Sequence, residues 1–149
     1  MAHTSDDPAT ALNEVLSEVI DLVQDVKQAH RKVPESHALH AELDQLLIDL
    51  RDWAQVLFEQ DEALGLSPLA SMPSVAGRTP PNLWPGEATD KEVCTLIDEH
   101  LGRLAEHIIA ATATQDDGPI REALSEVERG VTAHRTTLNN AARPSSTSS

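Results

Sequence analysis

The feature that most restricts this chain is a proline-rich connection set between two pairs of helix-forming segments. Residues 65–88 hold Pro68, Pro73, Pro80, Pro81 and Pro85. Proline fixes φ and lacks the N–H donor, so this stretch neither continues a helix nor sits inside a sheet. A link of such length is no tight hairpin. It lets the segment after it run in the same direction as the segment before it.

On either side, apolar residues recur at spacings of three and four, the mark of a helix with one buried face. The first segment follows Asp7-Pro8, an N-cap with proline at the first helical position. It carries Leu12, Val15, Leu16, Val19, Ile20, Val23 and Val26, and should end near Lys32 because of Pro34. The second is predicted from about Glu35 to Leu64, stopped by Gly65 and Pro68, with Leu39, Leu43, Leu46, Leu47, Leu50, Ala54 and Leu57 on its core stripe. The third opens on Thr89-Asp90-Lys91-Glu92, a capping-box pattern. Its core positions are Val93, Leu96, Ile97, Leu101, Leu104 and Ile108. The fourth opens at Asp117-Gly118-Pro119, carries Ile120, Leu124, Val127, Val131 and Leu138, and ends at Arg143-Pro144.

Aromatic residues make up 2% of the chain and tyrosine is absent, so the core must be aliphatic, which favours helices over strands. The expected fold is all-α: a ferritin-like four-helix bundle with a long crossover between its second and third helices. One domain is expected over residues 8–143, with a flexible stretch at 1–7 and a disordered Ser/Thr tail at 144–149.

Charge and motif content narrow the function classes. The formal net charge of −14 repels phosphate, and neither terminal stretch is basic enough to offset it, so DNA binding is not expected. Cys94 is the single cysteine, which excludes an intrachain disulfide or a cysteine-based zinc motif. No apolar run approaches membrane-spanning length, and the first residues lack the basic-then-apolar shape of a signal peptide. The expected location is cytoplasmic.

One side of the second helix is unusual. At ~100° per residue, His40, Asp44, Gln55 and Glu59 fall beside the core stripe and share their side with Ile48 and Phe58. Large apolar groups mixed into such a face point to a second buried surface, packed against something other than the monomer core. His40 and Asp44 lie one turn apart, whereas Glu59 is ~28 Å from His40 along the axis. An antiparallel copy related by a two-fold axis would bring Glu59 of one chain beside His40 and Asp44 of the other, twice per dimer. His30, at the end of the first helix, can join the His40 end. Two imidazoles with carboxylates suit iron or zinc.

The remaining histidines carry blander expectations. His100 and His107 fit hydrogen-bonded positions in or near the core. His37 and His134 have no matching carboxylate pattern. Trp53, at the edge of the stripe, is expected in packing or an interface, and Trp84 is expected to anchor the long link. Asp116 and Asp117 suit either a cap for the fourth helix or the lining of a pore.

The segments LNEVLSEVIDLVQDVKQAH, LHAELDQLL and FEQDEALGL resemble the Dps proteins, small ferritins that assemble as hollow dodecamers. The family pattern places a His near the end of the first helix and His-x-x-x-Asp on the second. An Asp follows eleven residues later, then a Glu four beyond it, just before Leu-Gly. His30, His40 with Asp44, and Glu59 before Leu64-Gly65 match it, and the likeness runs from about Ala11 to Ala142.

This resemblance implies a homo-oligomer of two-fold dimers, with iron and peroxide or oxygen as substrates. Fe(II) would be oxidised at a shared site made of His30, His40, Asp44 and Glu59, protecting against oxidative stress. Three departures stand out: Gln55 occupies the usual Asp position, Arg31 occupies a usual Trp position, and the link from His30 to His40 is short. Two other readings stay open, a Dps-like cage whose site is redox-inactive and an acidic helical module that binds a protein through the Ile48/Phe58 face.

Overall fold

A computed structural model describes residues 8–65 and 88–142. They form four helices: α1 (Pro8–Lys32), α2 (Ala38–Ala63), α3 (Asp90–Ala113) and α4 (Pro119–Ala142). The long proline-rich link with Trp84, the first seven residues and the Ser/Thr tail lie outside the described residues.

Each boundary has a local cause. α3 begins with the capping box that its sequence predicts: Thr89 Oγ1 accepts from the Glu92 N–H, and the Glu92 carboxylate accepts from the Thr89 N–H at 2.8 Å. α2 ends where Gly65 takes a left-handed φ of 80° and returns its N–H to the Glu62 carbonyl. The start of α2 differs from the expectation at Glu35. Pro34, Glu35 and Ser36 make a turn, closed by the His37 N–H on the Pro34 carbonyl, and the helix begins at Ala38. The capping oxygen that would start a helix at Glu35 is missing. His37 stands at the N-cap instead, without a side-chain cap bond.

Cross-helix contacts establish the topology. Asp25 meets His100 and Glu18 meets His107, so numbering falls on α1 as it rises on α3, and these helices are antiparallel. Asp49 with His134 and Trp53 over Gly130 give the same relation for α2 and α4. His37, before α2, bonds Asp90, the first residue of α3, so both helices start at the same end of the bundle. That parallel relation is the one a long link permits.

The core is aliphatic. Leu12, Leu16, Leu43, Leu46, Leu50, Leu57, Ile97, Leu101, Leu104, Ile108, Leu124 and Leu138 are all fully buried, each contributing about 1.5–3 kcal/mol by leaving water. The predicted stripes are buried except at a few edge positions. Of the predicted positions, Ile20, Val23, Ala54, Leu96 and Ile120 are only partly covered, and the first three lie with the part-covered Phe58 on the α1–α2 face. Among the described residues no helix is long and apolar enough to cross a membrane.

Candidate metal site

The turn between α1 and α2 brings the last histidine of one helix against the first turn of the next. The rings of His30 and His40 stack with centroids 3.9 Å apart and a tilt of 36°. Asp44, one turn beyond His40, places Oδ1 3.6 Å from His30 Nε2. Despite the short link, His30 is held on this side of the bundle.

The tautomer of the His40 ring follows from its partner. His40 Nδ1 lies 2.9 Å from the Val33 carbonyl oxygen. A carbonyl only accepts, so Nδ1 carries the proton and Nε2 keeps the lone pair when the ring is neutral. His30 Nε2 is shielded from solvent and has no hydrogen-bond partner among the described residues. A buried nitrogen without a partner is costly unless something occupies it. At one end of α2 two imidazole rings thus stack, and an exposed carboxylate lies 3.6 Å from one of them.

Glu59 is at the other end. It lies fifteen residues after Asp44, ~22 Å along the helix, and accepts a hydrogen bond from Gln55 Nε2 at 3.1 Å on Oε2. The structure therefore places His30, His40 and Asp44 at one end of α2, without gathering them around a common point, and Glu59 at the other. Among the described residues, no group of three or more His, Cys, Asp and Glu side chains is gathered to hold an ion within one subunit.

Between the two ends runs a shallow cleft of about 310 Å³. Ile20, Val23, Ala54 and Phe58 line it with Arg51, Gln24 and Gln55. Ile48, also on this side of α2, is 49% exposed. The face is apolar in its middle and carries ligand-type groups at both ends.

Among the described residues, the other histidines each pair with a carboxylate from a different helix. His100 Nδ1 lies 2.9 Å from Asp25, both side chains nearly buried. His107 pairs with Glu18 but is more than half exposed, so of these two His100 alone sits near the core. His37 and His134, for which the sequence offered no carboxylate, have one each: Asp90 at 2.9 Å and Asp49 at 2.6 Å. Their partners lie 53 and 85 residues away in sequence, beyond any local pattern. Trp53 is 7% exposed and packs edge-on against His134 with ring centroids 5.9 Å apart, the packing role expected of it.

One charged residue escaped the sequence reading. Asp61 is fully buried, neither carboxylate oxygen has a hydrogen-bond partner among the described residues, and burial pushes its carboxyl up to about 6. The signal was present, since Asp61 falls four residues after Leu57 on the core stripe of α2. Burial, helped by the charges of Asp90 and Asp98, likewise pushes the Cys94 thiol up to about 11. That thiol is a packed apolar group rather than a nucleophile.

No protein-family profile matches the chain, and no curated protein matches it in sequence. Solved structures do match it over nearly its whole length. Dps from Microbacterium arborescens in its high iron form is 26% identical, with a TM-score of 0.79 and 93% of each chain covered. A mutant of a Dps protein from Mycobacterium smegmatis is 18% identical, with a TM-score of 0.77, covering 94% of this chain and 97% of that one. A ferritin-like, diiron-carboxylate protein from Bacillus anthracis is 15% identical, with a TM-score of 0.77, covering 96% of this chain and all of that one. The last two share the fold alone.

Proposed function

We propose that this chain, whose bundle and length are those of the Dps miniferritins, is a Dps-like iron-storage protein that takes Fe(II) as its substrate at a site shared by two-fold partners. The observation that carries the reading is the His30–His40–Asp44 cluster, with its buried unpartnered Nε2, on a helix whose far end presents Glu59. An antiparallel copy packed on the cleft would cover Ile48 and Phe58 and bring Glu59 of the partner subunit to the cluster. By symmetry the contact forms twice.

Each residue has a role that follows from its chemistry. His30 and His40 supply neutral nitrogen lone pairs, and the Val33 carbonyl holds the His40 ring in the ligating tautomer. Asp44 and the partner subunit's Glu59 supply two negative charges, enough to balance one divalent cation. The overall charge of −14 raises the local concentration of cations. Each Fe(II) oxidised releases one electron, so two of them reduce one hydrogen peroxide to two hydroxide ions. Removing both Fe(II) and peroxide would protect a cell against oxidative damage, and the same charge makes DNA an unsuitable partner.

The test is anaerobic Fe(II) titration followed by peroxide. Saturable binding is expected, with an oxidation rate above the buffer blank. Binding without that rate would indicate a redox-inactive cage, and no saturable binding would sink the reading. Asp44→Ala and Glu59→Ala should each abolish binding. Refolded together in equal amounts, they should recover about a quarter of the wild-type sites, because half of the dimers are mixed and each mixed dimer has one intact site of two. Assembly is read separately by light scattering: twelve copies of a 16.1 kDa chain should give ~190 kDa.

A further inference from the structure

We propose that Gln55 is a positioning residue that restricts each shared site to a single divalent cation, an inference that rests on the shared-site reading above. Gln55 and Glu59 lie one turn apart on α2, and the Gln55 Nε2–H donates to Glu59 Oε2 at 3.1 Å. An ionised carboxylate only accepts, so the amide must turn its NH₂ toward Glu59 and its carbonyl oxygen away.

Two consequences follow. Glu59 has one oxygen held by a neutral donor and presents the other, Oε1, to an ion. The amide N–H also occupies the lone pair that a second cation would otherwise use. A carboxylate at position 55 would face Glu59 as a like charge, an arrangement that a second cation between them relieves. With an amide there, nothing calls for that cation.

The surroundings of Gln55 point the same way. The cleft beside it is lined by Arg51, Gln24 and apolar side chains and by no carboxylate. A second cation on that side would meet a guanidinium and uncharged amides. In the shared site proposed above, two imidazoles and Asp44 of one chain with one oxygen of the partner subunit's Glu59 would make four ligands carrying two negative charges. That set neutralises one divalent ion and leaves none over.

The experiment is an anaerobic Co(II) titration of the full-length protein, read by visible absorption and by calorimetry. Sites are counted as those lost in Asp44→Ala, so that loose binding to the acidic surface is subtracted. Wild type should bind one Co(II) per subunit. Gln55→Glu, which keeps the side-chain length at an exposed position, should bind two. Gln55→Leu should still bind one, but about ten- to a hundredfold more weakly, as expected when a group that orients a ligand is lost. Unchanged helical circular dichroism would establish that both variants fold. Two Co(II) per subunit in wild type, one in Gln55→Glu, or unchanged affinity in Gln55→Leu would each overturn the role of Gln55 and leave the shared site standing. No site-specific Co(II) in wild type would remove both.

Discussion

Replacing Asp61 by Asn should make the protein more stable, and increasingly so as the pH rises. Asp61 is 0% exposed with no partner for either oxygen, and burial raises its carboxyl from 3.8 to about 6. The folded chain therefore holds this proton over a pH range in which the unfolded chain has released it. Below pH 3.8 the group is neutral in both states and costs no ionisation energy. As the pH climbs through about 6 the folded state is forced to ionise, and stability falls by about 2–3 kcal/mol. Asn keeps the shape and cannot ionise. Its advantage over wild type should be below about 1 kcal/mol at pH 4 and reach about 2–3 kcal/mol by pH 8. For a chain of this size that gap at pH 8 corresponds to roughly 5–10 °C in Tm. Thermal unfolding of both proteins at one concentration, at pH 4, 5, 6, 7 and 8, measures it. Comparing the two proteins at each pH cancels every other titrating group. A gap that stays constant from pH 4 to pH 8, or a variant less stable than wild type at pH 8, would refute the argument.

Two glycines should respond in opposite directions to alanine. At Gly130 an added Cβ would lie 2.4 Å from the buried Trp53 ring, so Gly130→Ala should destabilise by about 1–2 kcal/mol, the overpacking cost exceeding the gain in helix propensity. At Gly102 the new Cβ would meet only the Arg135 guanidinium, at 3.1 Å, a side-chain end that Asp98 holds by two hydrogen bonds and that need shift by only a few tenths of an ångström, so Gly102→Ala should stabilise by about 0.5 kcal/mol. Urea midpoints rank the two, and the reverse order would show that Trp53 yields easily. Cys94, buried and with its thiol pushed up to about 11, should resist a disulfide reagent at pH 8 in the native protein and react fully in denaturant. Thr89→Ala should cost about 1 kcal/mol through loss of the capping box, measured as a shift in the thermal midpoint.

Periodicity and punctuation were enough to read the bundle from the sequence. Leu and Val at three- and four-residue spacing place each helix and its buried face. Thr89 with Glu92 and Gly65 mark two ends through hydrogen bonds made within a few residues. The proline-rich length of 65–88 implies that α2 and α3 are parallel, because chain length alone decides whether a connection can span the bundle. All of these are local or one-dimensional properties, and so they are visible without coordinates.

What only the tertiary structure decided depends on neighbours distant in sequence. The Val33 carbonyl sets the His40 tautomer because a turn folds α1 back on α2. His37 and His134 find Asp90 and Asp49 on other helices. Asp61 stands on a stripe position that other helices bury, and its charge is expensive for that reason. Similarly, the turn stacks the His30 ring on His40 and sets Asp44 3.6 Å from His30, while Glu59 is kept ~22 Å from Asp44 by the rigidity of the helix that carries it. A helix fixes the distance between its own residues, so one chain cannot carry its own Glu59 to its own His40 end.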